Sequence, residues 1–163
     1  MKKLLCILCL SIMLINILIP SFAYAENDNI AQSQKIISET VETLEDGSQI
    51  ITTIIMDNSS IARASTISGS KTKTGKNSDG DVMWTFTVKG TFSVNSGVSA
   101  TCTSATCSNT TPGSGWSHKS SSVKKTSNKA VGSATFVKKV LGVTVDTDNI
   151  SNTLTCDVNG NLS

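Results

Sequence analysis

The sequence predicts an all-β fold, a single antiparallel β-sandwich of Ig-like or Greek-key type with about eight or nine strands. Three observations carry this expectation. Residues 82 to 94 alternate strictly, with Trp84, Phe86, Val88, Phe92 and Val94 on even positions and Thr85, Thr87, Lys89, Thr91 and Ser93 between them, the pattern of a strand half-buried in a sheet. Asp-Gly pairs at Asp46-Gly47 and Asp79-Gly80 sit between β-rich runs and supply the positive φ that tight hairpins need. Ser and Thr are abundant and only 16% of residues are charged, which suits solvent-facing strand positions.

The elements follow in order. Residues 1 to 25 read as a secretory signal peptide: Met1-Lys2-Lys3 is basic, Leu4 to Ile19 is apolar except for Ser11 and Asn16, and Ala23-Tyr24-Ala25 places small side chains at the two positions that signal peptidase requires. A retained anchor is the rival reading, since the apolar run approaches the roughly 20 residues that span a bilayer; Pro20 and the Ala-x-Ala site favour cleavage. Cys6 and Cys9 each follow Leu, so a lipid-attachment site is not expected. The expected product is secreted, extracellular or loosely associated with the cell wall, and meets a membrane only through an uncleaved signal segment.

Cleavage leaves 138 residues, the size of one domain that buries about two thirds of its unfolded surface. Residues 26 to 60 form an acidic N-terminal segment with a β-hairpin, Ser38 to Leu44 turning through Glu45-Asp46-Gly47-Ser48 into Gln49 to Met56. Asn29 to Glu39 is the one stretch where a helix competes. Residues 61 to 163 form the sandwich body. Arg63 to Thr74 reads as the hairpin partner of the long strand, joined through Lys76 to Asp81, and Gly90 on the apolar phase marks a bulge or a close contact at mid-strand. Asn95-Ser96-Gly97 turns the chain into Val98 to Ser104. After an irregular stretch with Pro112-Gly113-Ser114-Gly115 come Trp116 to Thr126, Lys129 to Val140, Val143 to Thr147 and Ile150 to Val158.

Charge is unevenly placed. Seven acids oppose Lys35 between residues 26 and 57, whereas 11 basic residues oppose five acids from 58 onward. An acidic segment lying against a basic body accounts for this, with little stabilisation where the charges stay solvated. The lysines are scattered and the aromatics few, so no nucleic-acid partner is expected.

Three cysteines remain in the mature chain, and export makes a disulfide the default. Cys102 is in phase with Val98 and Ala100, and Cys156 with Leu154 and Val158, so both point inward. Cys107 is out of phase with Cys102 and, if the strand persists, roughly 16 Å from it, beyond the limit of about 7 Å between bridged Cα atoms. The expected bridge is Cys102 to Cys156, with two buried free thiols as the competing state. Cys107 is left as an inert surface thiol or one that pairs between molecules.

Several motifs together carry a family resemblance. Leu44-Glu45-Asp46-Gly47, Gly80-Asp81-Val82-Met83-Trp84, Lys89-Gly90-Thr91-Phe92, Gly97 to Thr103, Trp116, Asn128 to Gly132 and the ending Leu154 to Ser163 resemble a family of small exported proteins of Gram-positive bacteria. The resemblance spans most of the mature chain, implies the first and last mature cysteines as a pair, leaves Cys107 as a departure and implies no activity.

Catalytic chemistry finds little footing. His118, the one histidine, stands two residues after Trp116 without a Gly-x-Ser-x-Gly elbow, and Cys107 with His118 lacks a protease-like setting. Asn77-Ser78-Asp79-Gly80-Asp81 lacks the spacing and bidentate Glu of a calcium loop and reads as a turn, and Asp146-Thr147-Asp148-Asn149 is discounted likewise. No two carboxylates are expected to flank a glycosidic bond. No catalytic residue, metal or cofactor is expected. The candidate binding residues are Trp116, which follows a Gly-rich loop and can stack on a sugar, anchor a partner or close the core, and His118 beside it. The expected function is that of a non-enzymatic extracellular or cell-surface interaction module for a protein or glycan. A secreted antibacterial or toxin-like effector, its basic body masked by the acidic segment, is the second expectation.

Overall fold

The computed structural model describes residues 34–57 and 65–163. The expected signal peptide and residues 26–33 lie outside them, as do Arg63 and Ala64 of the expected third strand. Eight strands run through the described residues: β1 (Gln34–Thr43), β2 (Gln49–Asp57), β3 (Ser65–Lys76), β4 (Val82–Asn95), β5 (Ser99–Thr110), β6 (Trp116–Thr126), β7 (Lys129–Val140) and β8 (Val143–Thr155). They form two antiparallel sheets, β1-β2-β3-β4-β5 and β6-β7-β8, packed as a sandwich. The all-β sandwich is as expected. Its connectivity is not Ig-like or Greek-key, because each sheet is a meander of sequence neighbours and the chain changes sheet at the β5–β6 connection. Short turns enforce this at β1–β2, β3–β4, β4–β5, β6–β7 and β7–β8, since a tight hairpin leaves the next strand nowhere to go but alongside.

Three turns share one geometry. In Leu44–Ser48, Asn77–Asp81 and Asp157–Asn161 the first amide donates to the fifth carbonyl and the fourth amide to the first carbonyl, with Gly47, Gly80 and Gly160 at φ of 81°, 88° and 84°. Asp or Asn side chains hold each one: Asp46 accepts from the Ser48 amide and hydroxyl, Asn77 from the Asp79 and Asp81 amides, and Asp157 from the Asn159 and Asn161 amides. The third turn folds the C-terminus back so that Leu162 bridges Cys156 and packs on Gly69.

β4 supplies the centre of the core. Trp84, Phe86, Val88, Phe92 and Val94 are buried, facing Ala130, Ala134 and Phe136 of β7 and Leu154 of β8. Trp84 stacks on Phe136 with ring centroids 5.1 Å apart. Small residues set the spacing of the sheets: a Cβ on Gly132 would lie 2.5 Å from Val88 Cγ2, and one on Gly90 3.2 Å from the Ala130 methyl. Gly90 is therefore a close contact, directly opposite Gly69 without a bulge there.

Other expectations are corrected or made specific. Gln34–Glu39 is strand, not helix, because β1 zips onto β2 along its length. The hairpin β1–β2 belongs to the sheet, with β1 its exposed edge; Asp57 of β2 is salt-bridged to Lys89 of β4 at 2.9 Å. β5 continues through residues expected to be irregular, and 143 to 155 is one strand where two were expected. A bulge in β5 pairs Thr91 with Ser104 but Phe92 with Cys102, which brings Cys107 onto the same inner face as Cys102, opposite Val88. The expected Cys102–Cys156 bridge is not formed: all three described cysteines are free thiols. Each buried thiol is turned to a nearby carbonyl, Cys102 to Ser104 and Cys156 to Asp157.

Candidate functional site

The turn end of the sandwich holds a cleft of about 330 Å³ between the sheets. Sheet register positions its walls. In the five-stranded sheet Ile50, Gly75 and Trp84 stand side by side across β2, β3 and β4. In the three-stranded sheet Trp116, Lys138 and Asp146 form the corresponding rank across β6, β7 and β8. Asp46 and Ser48 of the first turn and Asn77 and Ser78 of the second close the rim, and Met83 and Trp116 close the far side. Gly75 is needed here because a Cβ would fall 2.4 Å from the Trp84 ring. A second cleft of about 240 Å³ lies beyond Met83, Trp116 and Lys138, which border both.

The chemistry centres on Asp148. Its Oδ2 accepts the indole N–H of Trp84 at 2.5 Å, linking the two sheets. Burial pushes the Asp148 carboxyl above its ordinary range, the Trp84 bond opposes this, and the nearby charges of Asp146 and Asp46 push it further up. Asp46 is held below its ordinary range by its bonds from Ser48. Three carboxylates and one ammonium, Lys138, thus line a cleft that also offers Ile50, Leu44 and Met83 as apolar surface. The balance favours ligands that carry positive charge or several hydroxyl donors beside an apolar face. Among the described residues no group of three or more His, Cys, Asp or Glu side chains is placed to hold a metal ion, so the three acids do not converge as ligands.

Of the residues singled out from sequence, Trp116 lines the cleft but is 92% buried, so it walls the site rather than projecting from it. His118 is exposed further along β6, its ring 5.9 Å from Phe136 and tilted by 59°, away from the cleft lining. Cys102 and Cys156 lie at the opposite end, their amides donating to Ser127 and Asn128 of the β6–β7 turn. Sequence reasoning missed Asp148, Asp146, Asp46 and Lys138 as a group. Their signal was the Asp-x-Asp spacing at 146 and 148, which puts both carboxylates on one face of a strand, and it was hidden by reading Asp148-Asn149 as a break between strands.

No family model, curated protein or solved structure matches the chain.

Proposed function

We propose that the protein is a secreted, non-enzymatic β-sandwich that binds an extracellular protein or glycan through the cleft at its turn end. The observation that carries this reading is the cleft itself: two tryptophans, three carboxylates and a lysine gathered from five different strands and turns, without a nucleophile–base pair among them. The signal sequence and the resemblance to small exported proteins of Gram-positive bacteria support the compartment, extracellular or loosely bound to the cell wall.

The same reading carries the disulfide. Cys102 and Cys156 hang from neighbouring residues of one turn, Ser127 and Asn128. Exchange with a small-molecule disulfide outside the cell would join them, the two thiol hydrogens passing to the reduced reagent. The effector alternative has less support, because the acidic β1–β2 hairpin is zipped onto β3 and pinned by Asp57 to Lys89 instead of lying over the body as a detachable mask.

The test is a titration of isotope-labelled exported protein with cell-wall glycan fragments, mucin glycans and soluble extracellular proteins, followed at the indole N–H resonances of Trp84 and Trp116. The proposal expects saturable shifts of both with one of these classes. Saturable binding that leaves both indoles unmoved would refute the cleft as the site.

A further inference from the structure

The two sheets are unequal, and of the four edge strands β1, β5, β6 and β8 it is β8 whose edge stands over the inner face of the larger sheet. β8 pairs along its length with β7 and, among the described residues, with no other strand. It crosses over β3 and β4 and does not reach over β2, so among the described residues β2 and β1 extend beyond it as a shelf. Register places Ile50, Thr52, Ile54 and Met56 of β2 on the inner face of that shelf, and all but Ile54 are only half-buried. The result is a step whose wall is a free strand edge and whose floor is largely apolar. Sheet edges with unpaired amides and carbonyls are templates for another strand.

The wall is fixed in place from the other sheet. Asp148 holds the Trp84 indole, and Asn152 Nδ2 donates to the Lys71 carbonyl at 2.7 Å. Asn152 is 98% buried, and its Oδ1 has no hydrogen-bond partner. Charge along the step is polarised. Asp146 and Asp148 share the inner face of β8 at the cleft end, with Asp46 beside them. Lys71 and Lys73 stand on the inner face of β3 deeper in, and neither has a carboxylate within ion-pairing distance among the described residues.

We propose that the free edge of β8 accepts an extended strand from an extracellular protein partner, basic at the inward positions beside Asp146 and Asp148 and apolar at that beside Ile150. Backbone pairing supplies affinity, and the alternate inward side chains supply selectivity. A second copy of this chain paired antiparallel about Thr147 would set Asp146 of one copy against Asp148 of the other, a like-charge register that is disfavoured. The acids disfavour that register and select a basic strand.

This proposal rests on the reading of the protein as a binding module and names the partner class of its cleft. The experiment uses the exported protein and two synthetic peptides of equal length, Lys-Thr-Lys-Thr-Val-Thr-Val and the same peptide with Glu for Lys. Amide hydrogen exchange is followed strand by strand. The expected result is protection of β8 amides by the basic peptide, at least tenfold tighter binding than for the acidic one, and reversal of that preference in Asp146→Lys. Equal affinities, protection at β1 instead, no protection, or β8 amides already protected in a dimer without peptide would each overturn it. Asp146 is exposed and outside the core, so the variant keeps the fold; retained indole resonances of Trp84 and Trp116 check this. A glycan that shifts both indoles while neither peptide protects β8 would overturn the strand-acceptor proposal and leave the cleft reading intact.

Discussion

Trp84 and Asp148 join the two sheets at the end of the sandwich that holds the cleft. The indole that stacks on Phe136 also donates its N–H to the Asp148 carboxylate at 2.5 Å, so a single side chain both fills the core and fixes the cleft wall.

This pairing has a pH signature. Burial, opposed by the Trp84 bond and reinforced by Asp146 and Asp46, raises the Asp148 carboxyl above its unfolded value. The folded state then holds the Asp148 proton more tightly than the unfolded state, so this group's contribution to stability is full below the unfolded carboxylate range and is lost as pH rises through the raised value. Asp148→Asn keeps an acceptor for the indole and removes the charge. Chemical denaturation should find it at least as stable as the parent at neutral pH, with the difference vanishing in acid. Asp148→Ala leaves the indole N–H unpaired and should cost about 1–3 kcal/mol in acid, and less at neutral pH, where the contribution of the buried carboxyl is lost.

The closeness of the sheets makes a second prediction. A Cβ at residue 132 meets Val88 Cγ2 at 2.5 Å and the Phe86 ring at 3.0 Å. Gly132→Ala should force the sheets apart and cost about 1–3 kcal/mol in urea unfolding, as overpacking of a filled core does.

The C-terminal turn acts as a clasp. Leu162 is buried against Gly69, and Ser163 and Thr155 exchange both backbone bonds. Leu162→Ala should cost about 2–5 kcal/mol, the range for truncating a buried leucine. The clasp is also acid-sensitive. Asp157 is held below its ordinary range by its bonds from Asn161, so its contribution is present at neutral pH and lost as pH falls through that lowered value. Thermal melts should show the Asp157→Ala deficit at neutral pH and not in strong acid.

The cysteines should separate by reactivity. Burial pushes Cys156 up to about 11 and raises Cys102, whereas Cys107 is half-buried on the edge strand β5. Since the thiolate is the reactive form, iodoacetamide under reducing conditions should label Cys107 first. After incubation with glutathione disulfide, intact mass should fall by two hydrogens, with the bridge mapped to Cys102 and Cys156; unchanged mass with Cys107 blocked would refute the pairing.

The sandwich was legible because its strongest signals are local. The alternation from Trp84 to Val94 and the two Asp-Gly turns act over a few residues, and β4 and its hairpin with β3 follow directly. The start of β1 was not legible, since a strand with exposed residues on both faces is defined by its partner β2 and not by its own pattern. Cys107 was misplaced because one extra residue in a bulge flips every later side chain. The cleft was hidden for a similar reason. Asp146, Thr147, Asp148 and Asn149 look like a loop in isolation, and only the Trp84 indole across the sandwich explains why a carboxylate stands on the inner face of a strand.

Binding at the cleft is the central claim, and one comparison tests it most directly. Arrays of cell-wall glycans, mucin glycans and extracellular proteins would be probed with the protein and with its Asp146→Lys/Lys138→Glu double variant, which preserves net charge and alters only cleft-lining positions. The account predicts that the parent binds at least one class and that the variant binds it about tenfold more weakly or not at all. Binding to none of the three classes, or equal binding by both proteins, would contradict it.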